Sequence, residues 1–523
     1  MYNTISPINM HYMSLERIYT CGKWVNNWIA RRADISGNWI ALKDDLTIPL
    51  RTVSFAQLNE VSNKIANFLR ENFGISKGDY VAILSWSRIE FVATLLACFK
   101  IGCVLAPINT RYTSREIQEF VDKVNPKVLL YEKEFSETVS NIETKKVCYD
   151  CPNEFNYEKY SSNDVSTACC LEDPALILQT GGTTGKPKFA IVSHRMILWN
   201  ALNTVRDLVI PGDVTINTLP LFHIGAFTYL IPLLMFGGTS ILMRRWNVDR
   251  FIDLVEEERP TFLFLVPTQL RMLLASPRFK DADFSSVRWF TSGGGALTPD
   301  IIEKLFEKGV VQKQGFGMTE MGPGIFALDP WDAKRKMGSI GKPNLLIEAR
   351  LVLPDGSEAP RGVEGELYLR GPSVFSGYLK NEEEMKSIIK DGWLATGDVA
   401  RVDEEGYFWI AGRIKNIIRS GEESVYPEEI ERLLIMHPKI KDAVVIGVPD
   451  PKWGEVPKAL IVLKEGEKIT KEEVIDFLKD KLAKYKIPKY VEVVPQLVYT
   501  ETGKVARQSL KILYGKPEDK LEV

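Results

Sequence analysis

The stretch from Gln179 to Lys188 reads Q-T-G-G-T-T-G-K-P-K and concentrates three glycines, three threonines and two lysines. Glycine lets backbone amides face a ligand with no side chain in the way. Threonine hydroxyls donate to oxyanions, and lysine brings a mobile positive charge. The combination suits a polyphosphate. It is not the Walker loop G-x-x-x-x-G-K-[ST]. With Gly185-Lys186 as the G-K step, the first glycine falls on Thr180, and Pro187 takes the place of the magnesium-binding hydroxyl residue. A polar surface loop is the competing reading, so the rest of the chain has to decide.

Six further segments carry residues that could do chemistry. Pro220 to Gly225 sets His223, one of four histidines, close to a glycine. Ser292 to Ala296 contains Gly293, Gly294 and Gly295. Gln314 to Glu320 places Phe316 between Gly315 and Gly317, followed by Met318, a hydroxyl at Thr319 and a carboxylate at Glu320. Trp393 to Asp398 ends on an acid, Gly412 to Lys415 carries Arg413 and Lys415, and Glu501 to Lys504 puts a lysine on a tight turn. Taken singly, each has a structural reading. His223 could be a core histidine, Glu320 a solvated acid, Asp398 a turn residue, Arg413 an ion-pair former and Lys504 a surface lysine.

The elements that must position these groups are visible in the patterning. At 523 residues the chain can form a large core and a smaller unit. A net charge of -2 gives no global pull toward nucleic acid or an anionic membrane. The start has no charged-then-apolar leader, and the greasy run Ala226 to Met243 is broken by Gly237-Gly238, which predicts a buried helix and strand and a cytoplasmic protein with no membrane span. Seven cysteines include Cys148-x-x-Cys151 and Cys169-Cys170. That spacing fits structural or free thiols better than zinc.

Capping-box patterns at Ser54/Gln57 and Thr113/Glu116 predict helix starts. Strands are predicted at 80–84, 104–108 and 128–131, with a helix over 89–99 between the first two. A helical pattern spans Ser193 to Leu208. Further strands are predicted at 214–219, 261–266 and 287–292. Alternation of strand and helix argues for parallel sheets covered on both faces. No G-x-G-x-x-G opens these units, which argues against a nicotinamide cofactor. Past Pro354-Asp355-Gly356 the texture becomes antiparallel hairpins, a β-rich annex. Beyond Gly412 a compact mixed unit follows, with helices at 427–436 and 471–482 and strands at 443–448, 458–463 and 490–494. The fold class is therefore α/β: a large N-terminal domain of two parallel-type subdomains plus the annex, over 1–412, and a small α+β domain over 413–523.

In this order and at these separations, the seven segments resemble the adenylate-forming superfamily of acyl-CoA synthetases, luciferases and peptide-synthetase adenylation domains. The likeness is greatest to medium- or long-chain acyl-CoA synthetases and runs from about Trp24 to Leu510. It implies an ATP-dependent ligase that joins a carboxylic acid to AMP, expelling pyrophosphate, and then to coenzyme A, expelling AMP. It implies that Thr180, Gly181, Gly182, Thr183, Thr184, Gly185 and Lys188 hold the leaving phosphates. Thr319 would touch the α-phosphate, and Glu320, with Thr180, would hold Mg²⁺. Gly293, Gly294, Gly295, Gly315, Phe316, Gly317 and Met318 would frame the adenine, while Asp398 and Arg413 would take the ribose. Lys504 would reach in from a mobile C-terminal lid hinged near Lys415. His223 would stand by the acid, and Arg419 and the Gly421 backbone would line a thiol channel.

Three departures from the family pattern stand out. Gly181 replaces a serine, Phe189 replaces a glycine, and Glu422 introduces a carboxylate near that channel. Phe227 and the room left at Gly295 favour a medium-chain fatty acid, with Ile224, Ala226, Phe227 and Met321 as apolar walls. A short hydroxy acid, an aromatic acid, or the loading of a separate carrier protein are the alternatives. A non-catalytic nucleotide binder is disfavoured by Lys504, Glu320 and Asp398. Acyl length, pathway, the start among Met1, Met10 and Met13, and a homodimer are left open.

Overall fold

A computed structural model describes residues 19–180, 187–204, 206, 210–295, 297–421, 423–499 and 505–521. Of the predicted site residues, Gly181 to Gly185 and Lys504 lie outside these, as does Glu422.

The first sheet has seven strands in the order 377–378, 188–193, 174–180, 104–107, 80–84, 128–131, 146–148. The run from 174–180 to 146–148 is parallel. Strands Pro174–Thr180 and Lys188–Ser193 are antiparallel, so the glycine-rich stretch joins the arms of a hairpin. The helical pattern predicted from Ser193 begins only at His194, after a full strand. Phe189 is a strand residue buried against Phe120, ring centroids 5.4 Å apart. Both capping boxes form. Ser54 and Gln57 open the helix Phe55–Phe73, and Thr113 and Glu116 open Ser114–Val124. In each, two orphan amides at the helix start are satisfied reciprocally. Helix Ile89–Ile101 buries every residue except Glu90, as a helix packed on all sides must.

A second sheet runs 214–217, 239–242, 40–44, 51–54, and a third runs 263–264, 290–292, 312–318, 322–327, 342–343. The strand predicted over 261–266 shortens to Leu263–Phe264. Pro260 precedes it, and Pro267 opens the helix Pro267–Ala275; proline withholds a ladder donor and pre-sets a helical φ. The annex is wholly antiparallel: 348–352, 365–370, 393–402, 389–390, with 408–413 paired to 393–402.

The terminal unit is a five-stranded sheet over 418–493. Strand Ile440–Asp450 turns Ala443 and Val445 toward helices Pro427–Ile435 and Lys471–Lys479, and Val444, Ile446 and Val448 toward helix Arg507–Tyr514. This is the period-two alternation of a sheet covered on both faces.

Two long-range ties hold the N-terminal part. A disulfide joins Cys21 to Cys170 across a two-stranded pairing, leaving five free cysteines. The strand-end carboxylate Asp44 and helix residue Glu90 share Arg51, and Arg88 bonds Glu90 and Asp150. Burial pushes the Glu90 carboxyl up, but Arg51 and Arg88 outweigh it and hold the group down at about 2. No helix among the described residues is long and apolar enough to cross a membrane.

Candidate active site

The hairpin register sets Thr180 opposite Lys188, the two described residues that bound the glycine-rich stretch. The Thr180 hydroxyl and Gln179 Oε1 are buried with no hydrogen-bond partner among the described residues. A buried hydroxyl left unsatisfied at the rim of such a stretch fits a ligand oxygen or a cation. Lys188 is largely buried and ion-paired to Glu384, with its Nζ 5.4 Å from the centroid of the Tyr378 ring.

Opposite stands the strand Gln312–Met318 and its turn into Gly322–Ala327. Glycine is required here by close approach. A Cβ on Gly317 would sit 2.2 Å from the Pro323 carbonyl oxygen, and one on Gly315 would sit 3.0 Å from that of Phe326. Phe316 is half-buried, edge-on to Phe326 at 5.9 Å. Gly293 lies at the end of the neighbouring strand, where a Cβ would meet the Gly315 oxygen at 3.4 Å. Gly294 takes φ 77°. The glycine tract at 293–295 and the Gly315–Met318 segment thus line one wall.

Thr319 and Glu320 occupy the turn between the two strands. One carboxylate oxygen of Glu320 accepts from the Tyr378 hydroxyl at 2.7 Å, and its carbonyl accepts from Phe375 N at 2.9 Å. Burial raises the Tyr378 phenol above its ordinary value, and Glu320 and Glu384 raise it further, so the proton stays on the phenol.

Asp398, 2% exposed, lies in the annex strand directly across from Arg413. Arg413 Nε meets one carboxylate oxygen at 2.7 Å and its Nη2 donates to the other at 3.3 Å. Lys415 follows in a single 3₁₀ turn, Ile414–Asn416. Burial lowers its pKa, Arg413 and Lys188 lower it too, and Asp398 opposes them. Lys415 therefore stands within electrostatic reach of both the hairpin and the Asp398 pair.

His223 caps a short 3₁₀ turn, its Nδ1 accepting from Gly225 N at 3.1 Å, and that turn packs on the strand after Glu320. Beside it lies a small void of about 10 Å³, lined by Asn217, Thr218, Leu219, Gly225, Ala226, Tyr229, Leu230 and Phe264 among others. Behind Tyr229 and Phe264 the buried Phe262 packs edge-on to Tyr229, centroids 4.7 Å apart, and the Tyr229 hydroxyl donates to Thr291 at 3.2 Å. Of the four apolar walls predicted, Ala226 lines the void, whereas Ile224, Phe227 and Met321 pack into the core. Arg419 is exposed on strand Ile418–Ser420 near Tyr426, and Gly421 N donates to Trp453 O at 2.7 Å. Tyr499 and Val505, which flank the segment carrying Lys504, bridge one another, and Arg271 of the N-terminal part acts electrostatically on the Tyr499 phenol.

Contacts thus link Thr180, Lys188, Glu384, Tyr378 and Glu320, and the charge of Lys188 acts on Lys415 beside the Asp398–Arg413 pair. Sequence reasoning passed over Tyr378 and Glu384. The pattern Asn381-x-x-Glu384 marks a helix start, and Asn381 does cap the helix Glu382–Ile388, but that signal says nothing about Lys188.

Residues 29–379 match the family described as AMP-binding enzyme, and residues 429–504 match the AMP-binding enzyme C-terminal domain. The chain is 34% identical over 493 residues to a feruloyl-CoA synthase of an Amycolatopsis species, covering 94% of this chain and 99% of the relative. It is 34% identical over 507 residues to the indoleacetate–CoA ligase of Aromatoleum aromaticum, covering 94% and 98%. Among solved structures, the o-succinylbenzoate coenzyme A synthetase of Bacillus subtilis, in complex with ATP and a magnesium ion, superposes with a TM-score of 0.84 at 30% identity, covering 93% of this chain and 99% of that one. The matches along almost the whole chain lead to one conclusion: this protein belongs to the AMP-binding enzyme family, the adenylate-forming superfamily, and is an AMP-forming acid–thiol ligase.

Proposed function

We propose that this ligase takes an aromatic carboxylic acid. It works with ATP and Mg²⁺ and passes the acyl group to coenzyme A. The observation that carries the aromatic reading is the likeness, over more than nine-tenths of the chain, to ligases named for aromatic acids. The acids named for the relatives, feruloyl, indoleacetate and succinylbenzoate, support the same reading. The medium-chain fatty acid expected from Phe227 gives way to the aromatic alternative, because the relatives are named for aromatic acids, and Phe227 itself is buried in the core.

In the first half-reaction a carboxylate oxygen of the acid bonds to the α-phosphorus of ATP, and the bond to pyrophosphate breaks. Negative charge gathers there, so catalysis rests on positioned cations and donors. Thr180, Gly181, Gly182, Thr183, Thr184, Gly185 and Lys188 hold the leaving phosphates, and Thr319 faces the α-phosphate. Bound Mg²⁺ neutralises phosphate charge, and Glu320 with the unpartnered Thr180 hydroxyl fits it. Gly293, Gly294, Gly295, Gly315, Phe316, Gly317 and Met318 frame the adenine, Asp398 and Arg413 take the ribose, and His223 borders the acid. Lys504 approaches the α-phosphate from a lid, residues 413–523, hinged at Lys415 on the body, residues 1–412. In the second half-reaction the thiol sulfur bonds to the acyl carbon and AMP leaves, with Arg419 and Gly421 along the thiol's path.

The test is a panel of acids scored by coenzyme A-dependent AMP release, running from acetate and hydroxybutyrate through octanoate and palmitate to cinnamates and aryl acetates. The best aromatic acid should exceed the best aliphatic one at least tenfold in kcat/KM. An alkyl acid at the top overturns the substrate class. Pyrophosphate release that never yields a coenzyme A thioester overturns the transfer step.

A further inference from the structure

The segment from Phe375 to Ile388 belongs to none of the seven motifs, yet it touches two of them at once. Its strand, Gly377–Tyr378, pairs antiparallel with the exit strand of the glycine-rich hairpin, Tyr378 opposite Ala190. Backbone bonds lash it down on both sides: Ser376 N to Ile191 O at 3.0 Å, Leu379 N to Phe189 O at 2.8 Å, and Phe375 N to Glu320 O at 2.9 Å. From this bracket two side chains reach inward. Tyr378, 8% exposed and braced edge-on against Phe375 at 4.8 Å, donates to Glu320 Oε1. Glu384 pairs with Lys188, and its own backbone N–H is fixed by Asn381 Oδ1 at 3.3 Å.

We propose that Tyr378 and Glu384 are positioning residues for the nucleotide half-reaction: Tyr378 fixes which oxygen of Glu320 faces the metal, and Glu384 holds the charge of Lys188 until a polyphosphate displaces it. This rests on the ligase reading above, in which Glu320 meets Mg²⁺ and Lys188 meets phosphate. The geometry is the argument. A carboxylate has two oxygens, and a phenol donor bonded to one orients the other. A lysine with 14% of its side chain exposed needs a counter-charge. Glu384, at 28%, is the more accessible partner, so an entering phosphate meets an ion pair that can open from the Glu384 side. The tyrosine ring packed beside the Lys188 ammonium keeps that charge near Glu320 in either state.

Two substitutions in the full-length protein separate the roles, read by calorimetric ATP titration with and without Mg²⁺ and by acid-dependent pyrophosphate exchange. Tyr378→Phe should leave metal-free ATP binding within twofold and weaken the Mg²⁺ enhancement of that binding about fivefold, with the KM for the acid unmoved. Glu384→Gln should tighten metal-free ATP binding three- to tenfold, because Lys188 no longer has to leave a carboxylate. A purely structural role would instead lower the melting temperature and shift every parameter together. If the wild-type chain binds ATP and both variants match it, the positioning roles are overturned and the ligase reading stands. If the wild-type chain binds no ATP with or without Mg²⁺, both are overturned.

Discussion

Replacing Asp398 by Asn removes a negative charge and keeps the shape. The local backbone does not depend on the carboxylate: Asp398 N donates to the Thr396 hydroxyl at 3.0 Å, which in turn donates to Leu367 O at 2.8 Å. Arg413 has 41% of its side chain exposed, so losing its partner strands no buried cation, and the stability cost is about 1 kcal/mol or less. The nucleotide should respond far more. A carboxylate can accept from both ribose hydroxyls, and each such charge-assisted bond is worth roughly 1.5–3 kcal/mol. The amide retains one neutral acceptor, so the net loss is about 2–4 kcal/mol, or roughly 30- to 1,000-fold in kcat/KM for ATP. The assay is acid-dependent pyrophosphate exchange with ATP varied at saturating acid, repeated with 2′-deoxy-ATP. The wild-type protein should pay a penalty for the missing hydroxyl that the variant has already lost. An Asp398→Asn protein within threefold of wild type on ATP, with the deoxy penalty intact, would refute the ribose assignment.

Lys504→Ala should slow formation of the acyl-adenylate by about 10² or more while leaving thiol transfer from preformed acyl-AMP within a few-fold; equal losses in both steps would remove Lys504 from the α-phosphate. The buried network around Glu90 sets an acid limit. Its carboxyl is held at about 2 against a usual 4.5, so its stabilisation is present in full above the unfolded value and is lost as pH falls from 4.5 toward 2. The shift corresponds to about 3 kcal/mol. Glu90→Gln should therefore lower the urea midpoint at pH 7, and the gap to wild type should close as pH drops through that window. A gap that stays constant down to pH 3 would mean that Arg51 and Arg88 do not hold this carboxylate.

What the sequence reveals here is what is local, and what it conceals is set by register and distance. The capping boxes at Ser54/Gln57 and Thr113/Glu116 need only residues three apart, and both form. The hairpin was not visible in the same way, because K-F-A-I-V-S is a short apolar run that periodicity cannot assign to strand or to the start of the following helix. Asp398 and Arg413 could each be singled out, but their ion pair exists because two annex strands meet in one register. Tyr378 lies 58 residues from Glu320, and Glu384 lies 196 from Lys188, separations that no local pattern spans. Cys21 and Cys170, 149 apart, are hidden for the same reason. The helix beside His223 shows the same limit at close range. Phe227 and Tyr229 are two residues apart in the helix Phe227–Phe236, which at about 100° per residue puts them on nearly opposite faces. Tyr229 lines the small void beside His223, while Phe227 packs into the core. Which face turns which way depends on the sheet holding Thr291, to which Tyr229 is bonded, and this sheet lies 62 residues further along the chain.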